Sequence, residues 1–509
     1  MSEGHEAAVK LVAIVVALLG LWTAHRLSIG RRRSFLLAGL VGLGALGYVN
    51  FGVFHTDGTL LHIWDQYHYV IGSKYFPELG YDGIYAATIG ALEERQPAFV
   101  PPQQVRNLRT SEIVPIASLD GLMREVRSRF SDARWASFRT DVTHFYLGKE
   151  LFLDHGYNPP PSHVFVERIF TRHLPFRQIT AAFFASLDFV LLGLAGIVIY
   201  RVFGLETLAA ASLMFGLGLC SRYYWVGGAF LRQDWLVAMI LCAASLKCGH
   251  ARLAGAALAY AACARVFPAF MLLPLVVFAL SKHGRDKVLI GRFAFGLIAT
   301  ALLLVAVGCL AGRGAGAWME SAQRLLVHSS DVGPNAIGLR IPFGTSLANF
   351  RGALVDPTTL YIYTAIAADY ARTAHDHMAL IIIATALIVA LAMLVAWHSR
   401  DVVTAFAAGI AVIFALTTAS CYYGSYFVLL ALVRPTRSAA VFLTANALMY
   451  LIGGALLVLS SQGLIRLNGA ALYAPVSALF LGVLLVWMYS VSRGRAQRET
   501  GLAEPLPVH

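Results

Sequence analysis

Eleven apolar segments, most of them about 20 residues long and with short basic turns on alternate sides, leave this chain one broad class of fold. They fall at about 8–25, 34–54, 178–203, 206–221, 235–248, 288–311, 377–397, 402–419, 421–434, 438–459 and 471–492. Runs of that length match the apolar thickness of a bilayer. They are continuous rather than alternating, which predicts helices and not a β-barrel. Only 13% of the 509 residues are charged, against roughly 25% in a soluble domain. The net charge of +12 sits in short turns between apolar runs. It therefore reads as the basic cytoplasmic loops of a membrane protein, with no nucleic-acid partner.

The basic turns set the expected topology. Arg26 to Arg33, Arg201, Lys247 with Arg252, Lys282 to Lys287, His398 to Arg400, Arg434 to Arg437 and Arg493 to Arg495 all fall inside if the N-terminus is outside. The first run has no small-residue cleavage site and meets Arg31, Arg32 and Arg33 at once, so it reads as a retained helix. The segment 252–280 is interrupted by Arg265, Pro268 and Pro274 and is basic at both ends. Two half-helices that enter and return fit this better than a crossing, because broken backbone is tolerated only where protein or a cavity covers it. The expectation is an all-α polytopic membrane protein with about eleven crossings plus one re-entrant pair. Residues 1–54 supply the first two helices and 55–177 a helical outside loop. Residues 178–492 form the main helical domain, with a second outside region at 312–376, and 493–509 form a short disordered cytoplasmic tail. A bacterial plasma membrane is the expected location, since Arg greatly outnumbers Lys and Ala and Gly abound. Cys220, Cys242, Cys248, Cys263, Cys309 and Cys421 lie in or beside apolar runs and read as small core residues.

The polar island starts at Asp65. Asp65 to Asp82 holds a carboxylate, a histidine, a lysine and several aromatics, and an ionisable cluster at the edge of a membrane domain marks a site. The stretch has an echo 76 residues further on, at Asp141. Asp65, His68, Gly72, Phe76, Gly80 and Tyr81 recur as Asp141, His144, Gly148, Phe152, Gly156 and Tyr157. Each copy reads as an amphipathic helix closed by a glycine cap, the pair lying flat on the outer membrane surface. Asp141 could equally be a helix cap.

Taken together, these pieces resemble the GT-C type of integral-membrane glycosyltransferase, in particular the branch using polyprenyl-phosphate mannose or arabinofuranose. Asp65, Tyr67, Tyr69, Gly80, Tyr81 and Tyr85 look like the acidic and aromatic pattern after an early helix. Arg265 to Pro268 resembles the family's broken segment, and His328 to Arg340 a later outside loop. The resemblance implies transfer of a sugar from a lipid phosphate to a glycan or lipid acceptor hydroxyl at the outer face of the membrane. The first helix and the length of the 55–177 loop depart from the simplest members.

That chemistry needs a base, cations for the departing phosphate and an apolar groove for the prenyl chain. Asp65 is the first choice for the base and Asp57 the second. His68, Tyr69, Arg232, Asp234, Arg265, His328, Asn335 and Arg340 are the candidate substrate contacts. Arg265 stands out because an arginine inside an apolar segment is costly unless it is paired or faces a cavity. Arg232 and Asp234 could instead pair with each other. No metal site is assigned. His62, Asp65 and His68 are three residues apart and could hold a divalent metal, although no further carboxylate completes the set. Tyr422, Tyr423 and Tyr426 read as an interfacial aromatic belt. The competing function is a transporter or lipid flippase, which would show inverted repeats with paired broken helices; one broken segment is evident.

Overall fold

The protein, here a computed structural model, is described for residues 3–499 except 56, 97, 146–147, 330–331, 334, 346–369 and 463–468. It is predominantly helical. Six helical stretches among the described residues are long and apolar enough to cross a membrane: Gly4–Arg26, Gln178–Phe203, Lys287–Ala311, Met378–His398, Pro435–Leu459 and Leu472–Arg493. Their outward faces carry exposed leucine, isoleucine and phenylalanine, for example Phe295, Leu302, Leu303, Ile382 and Leu387. Shorter apolar helices lie between them: Leu205–Leu217, Ala251–Ala264, Phe267–Leu280, Val402–Leu416 and Cys421–Leu432.

Most helix ends fall within a few residues of the sequence expectation, with three corrections. The second helix stops at Tyr48 rather than near 54, because Asn50, Phe51 and Phe54 adopt positive φ, which ends regular hydrogen bonding. The Cys421–Leu432 segment is a 3-10 helix, a form rarely sustained over so many residues. The last helix runs on to Glu499, beyond the expected start of the tail. Two small antiparallel ribbons also depart from an all-α description: Gln104–Arg106 with Ile113–Pro115, and Ala336–Ile337 with Ala419–Ser420.

The segment 252–280 is broken at the expected place. Ala251–Ala264 ends where Arg265 turns extended, at φ −145° and ψ 127°. A short 3-10 turn containing Pro268 follows, and then Leu272–Leu280. The proline removes a donor and disfavours helical geometry just before it. The two pieces pack on different partners. Ala251–Ala264 lies against Asp234–Lys247 and Lys287–Gly308, and Leu272–Leu280 against Met378–His398 and Val402–Leu416.

The N-terminal helices are locked by close backbone contact. A Cβ on Gly216 would sit 1.8 Å from the Gly44 carbonyl oxygen, and one on Gly44 would sit 2.4 Å from the Ser212 backbone. Small residues at such crossings let the two backbones approach closely. The first helix is pinned to the same crossing by polar groups. The Lys10 ammonium donates to the Gly216 carbonyl at 2.7 Å and to the Gly47 carbonyl. Glu6 pairs with Arg222 at 2.5 Å.

Residues 55–177 have their own core, containing Tyr67, Ile71, Tyr75, Tyr85, Phe138 and Phe152, and Ala181, Phe184, Phe230 and Leu231 from the main domain join it. The two sequence copies do not fold alike. The first is helical from Ile63 to Leu79 apart from a break at Tyr75, with a widened π turn at Tyr67–Ile71. It is buried on nearly every side rather than amphipathic. In the second copy Asp141 ends the Asp132–Val142 helix instead of beginning one, and a 3-10 turn at Lys149–Leu153 follows. What the copies share is their close. Gly80 and Gly156 both take positive φ, at 58° and 72°, and Tyr81 and Tyr157 enter one small core with Phe76.

Replacing Gly216 by valine should lower stability by about 3 kcal/mol through overpacking. Thermal unfolding of the purified protein in detergent checks this, and an unchanged midpoint would mean the helices do not meet there.

Candidate functional site

Asp65, Arg232 and Arg265 come from three separate parts of the chain and converge on the ring of Tyr69. The Arg232 guanidinium lies 4.2 Å from the ring centre and that of Arg265 5.9 Å, distances at which an aromatic face attracts a cation. Arg232 Nε is 2.9 Å from Asp65 Oδ2, close enough for an ion pair but off the hydrogen-bond direction. All three residues are at most 8% exposed. Nε and Nη1 of Arg232, and Nε and Nη2 of Arg265, have no hydrogen-bond acceptor.

Local structure explains why each group is held there. His62 caps the helix that carries Asp65, its Nδ1 accepting from the Asp65 amide at 3.1 Å. The π turn that follows places Tyr69 beneath the cations. Arg232 sits in a loop whose backbone is anchored by Asp188, a buried carboxylate in the Gln178–Phe203 helix. Asp188 accepts from the amides of Arg232 at 3.0 Å and Gln233 at 3.2 Å. Gly228 must be glycine, since its φ is 70° and a Cβ would meet the Leu60 carbonyl at 1.8 Å. Its own carbonyl accepts from the His62 amide and from Gln66 Nε2, which clamps the loop onto the helix of Asp65. Arg265 caps its own helix, donating from Nη1 to the Ala264 carbonyl at 2.7 Å.

A second buried network borders these cations. His163 lies between two carboxylates, with Nε2 2.9 Å from Asp234 Oδ2 and Nδ1 2.8 Å from Glu167 Oε1. Tyr260 donates to Asp234 at 2.6 Å, and the Tyr157 hydroxyl donates to Glu167. The Tyr157 ring packs 5.6 Å from that of Tyr69, and the Ser162 hydroxyl donates to the Cys263 carbonyl, two residues before Arg265. One network thus ties Asp234, the broken segment and Tyr69 together. Burial alone would lower the pKa of His163, but the Asp234 and Glu167 carboxylates outweigh it, and the imidazole is held above its ordinary value of 6.5.

The remaining sequence candidates fall elsewhere. Asp57 is exposed and accepts from its own turn, from the Thr59 amide at 3.0 Å and the Thr59 hydroxyl at 2.7 Å. Arg232 and Asp234 do not pair with each other: Arg232 turns to Asp65, and Asp234 to His163 and Tyr260. The three-residue spacing of His62, Asp65 and His68 does not gather ligands. His62 Nδ1 is committed to the cap, and His68 bonds the Trp64 carbonyl at 3.0 Å and the Tyr85 hydroxyl at 2.9 Å. No group of three metal-binding side chains occurs among the described residues. Asn335 gives its carbonyl to the Cys421 amide at 2.8 Å. Arg340 lies near Tyr370 rather than Tyr69. His328 lies in the Gly316–Ser329 helix, and its side chain is outside the described residues. Asp141 is structural, holding Lys74 at 2.6 Å, the Tyr75 hydroxyl at 2.8 Å and the Phe176 amide at 3.0 Å.

Sequence reasoning missed several neighbours. Tyr422 lies 5.1 Å from Arg232, and Tyr423 packs on Phe267 and Trp235, so these tyrosines are not merely a surface belt. Asp188 could have been found, as a lone carboxylate in an apolar helix. His163 and Glu167 carry no such mark, because their spacing suits any helix. No family model, curated protein or solved structure matches the chain.

The raised pKa of His163 makes stability depend on pH. A group whose folded pKa is raised stabilises fully below its unfolded value, near 6.5, and loses that contribution as pH rises through the folded value. The wild-type melting midpoint should therefore fall from neutral toward alkaline pH, and His163→Gln should flatten that slope. Parallel profiles would remove His163 from the linkage.

Proposed function

We propose that the protein is a membrane glycosyltransferase that moves a sugar from a polyprenyl-phosphate donor to an acceptor hydroxyl. What carries the reading is the pair of buried guanidiniums with unpaired N–H groups beside Asp65 and over Tyr69. Guanidinium forks match phosphate oxygens bidentately, and in a buried site that attraction is stronger than in water. Asp65 takes the proton from the acceptor hydroxyl as its oxygen bonds to the anomeric carbon. The bond from that carbon to the phosphate oxygen breaks, and the lipid phosphate leaves with the electron pair. Arg232 and Arg265 stabilise the charge that develops on it. The prenyl chain lies along the apolar helix faces near the break at Arg265, where Val266, Leu273 and Val276 are exposed.

In this reading the 55–177 region and the site lie on the extracytoplasmic side of a bacterial plasma membrane. The chain crosses that membrane eleven times, with a re-entrant pair at 252–280. The tyrosines and the His163 network hold the cations in place but do not touch the reacting atoms.

Asp65→Asn should reduce transfer by about 10²–10⁴-fold, the range for loss of a general base, while leaving folding and lipid binding intact. Transfer assays with a radiolabelled polyprenyl-phosphate sugar test this, and near-normal turnover by the Asn variant would exclude Asp65 as the base. Arg265→Ala should weaken binding of the lipid phosphate about tenfold or more. Unchanged affinity would take Arg265 out of the site.

A further inference from the structure

A further arginine with two unpaired N–H groups lies away from Tyr69. Arg324 is on the Gly316–Ser329 helix and is 7% exposed. Its helix neighbours Ala322, Gln323, Leu325 and Leu326 are all exposed, so its side chain is directed inward to the 55–177 region. The face opposite is apolar and open, with Met319 at 65% and Leu326 at 72% exposure. The helix docks through Ala317, which joins the small core of Phe76, Tyr81 and Tyr157.

Nε and Nη1 of Arg324 have no hydrogen-bond acceptor. The ionisable groups that act on it are Asp82, Arg106 and Tyr85. The carboxylate among them is already shared: Asp82 pairs with Arg109 at 2.5 Å and with Arg129 at 3.8 Å. A buried guanidinium without a committed counter-ion is costly. The cost is relieved when an anion enters its fork.

We propose that Arg324 forms a second anion-binding site that takes a phosphate monoester carried by the acceptor substrate. The assignment to the acceptor rests on the glycosyltransferase reading, whereas the site itself does not. Its position fits that role. Tyr85, which faces Arg324, donates or accepts a hydrogen bond at His68 Nε2, and His68 follows Asp65 by three residues on one helix. The donor phosphate would lie on the Tyr69 side of that helix and the acceptor phosphate on the Tyr85 side. The apolar face of the Gly316–Ser329 helix also suits a phosphate presented at a lipid surface.

Native mass spectrometry of the detergent-solubilised full chain, titrated with inorganic phosphate and separately with a short-chain phosphatidic acid, tests the site. Arg324→Gln should bind one equivalent fewer than wild type, or bind it about tenfold more weakly. Loss with both probes assigns the site to phosphate itself, and loss with phosphatidic acid alone to a phosphate borne on a lipid. Both support the proposal. Wild-type binding of both probes by Arg324→Gln overturns it, as does a fall in melting temperature with no change in stoichiometry. Should the Gln variant not fold, Arg324→Lys keeps the charge but lacks the planar fork. It should bind more weakly than wild type, and undiminished binding overturns the proposal. Arg265→Gln reports the first site separately. If only Arg265→Gln loses an equivalent, the second site is wrong; if only Arg324→Gln does, the donor-phosphate reading is wrong and the second site stands.

Discussion

Two guanidinium groups buried around one phenol ring are the constraint on which the rest of the site depends. Charge in a low-dielectric interior is tolerated only with compensation. Asp65 offsets Arg232, while Arg265 has the Tyr69 face and a carbonyl at its own helix end. Asp234 is within electrostatic reach of Arg265, but its hydrogen bonds go to His163 and Tyr260. The two guanidiniums around Tyr69 are thus compensated by nearby charge while several of their N–H groups still lack an aligned acceptor.

Holding two cations together requires rigid backbone, and three devices supply it. Asp188 ties the Arg232 loop to a long apolar helix through two amides. Gly228 lets that loop approach Leu60 more closely than any side chain allows. Leu231, at φ 50°, is a residue type that rarely adopts such geometry, and strain of this kind gathers at functional sites. The break before Pro268 then brings Arg265 to the same ring from the other side. The His163 network joins the loop and the break to the Pro161–Thr171 helix.

The echo at Asp141 shows how pattern and role separate. Both copies close on a positive-φ glycine followed by a tyrosine, and the two tyrosines enter one core, although Gly80 alone of the two glycines ends a helix. The two aspartates have different surroundings. Asp141 is saturated by Lys74, Tyr75 and the Phe176 amide, whereas Asp65 Oδ2 has an unaligned cation and no donor. Identical spacing put both on helices. Which one is left with an open oxygen depends on residues far away in the chain, and no periodicity encodes that.

Apolar length and basic turns by themselves determined the helical class and most helix ends, because backbone satisfaction in an apolar medium leaves helices as the local solution. Pro268 and Arg265 likewise announced the break, since a missing donor and a buried charge are local properties. Asp65, Arg232 and Arg265 could be named as candidates for the same reason: ionisable groups beside apolar runs are rare. Their partners could not. Arg232 turned from the nearby Asp234 to the distant Asp65, and His62 and His68 spent their nitrogens on a cap and on Tyr85 rather than on a metal. His163, Glu167 and Tyr260 met Asp234, and Tyr422 met Arg232, only through packing. Local sequence fixes where charge must be buried; tertiary structure decides which groups are close enough to compensate it, because ion pairing falls off within a few ångströms and those ångströms are set by helix packing.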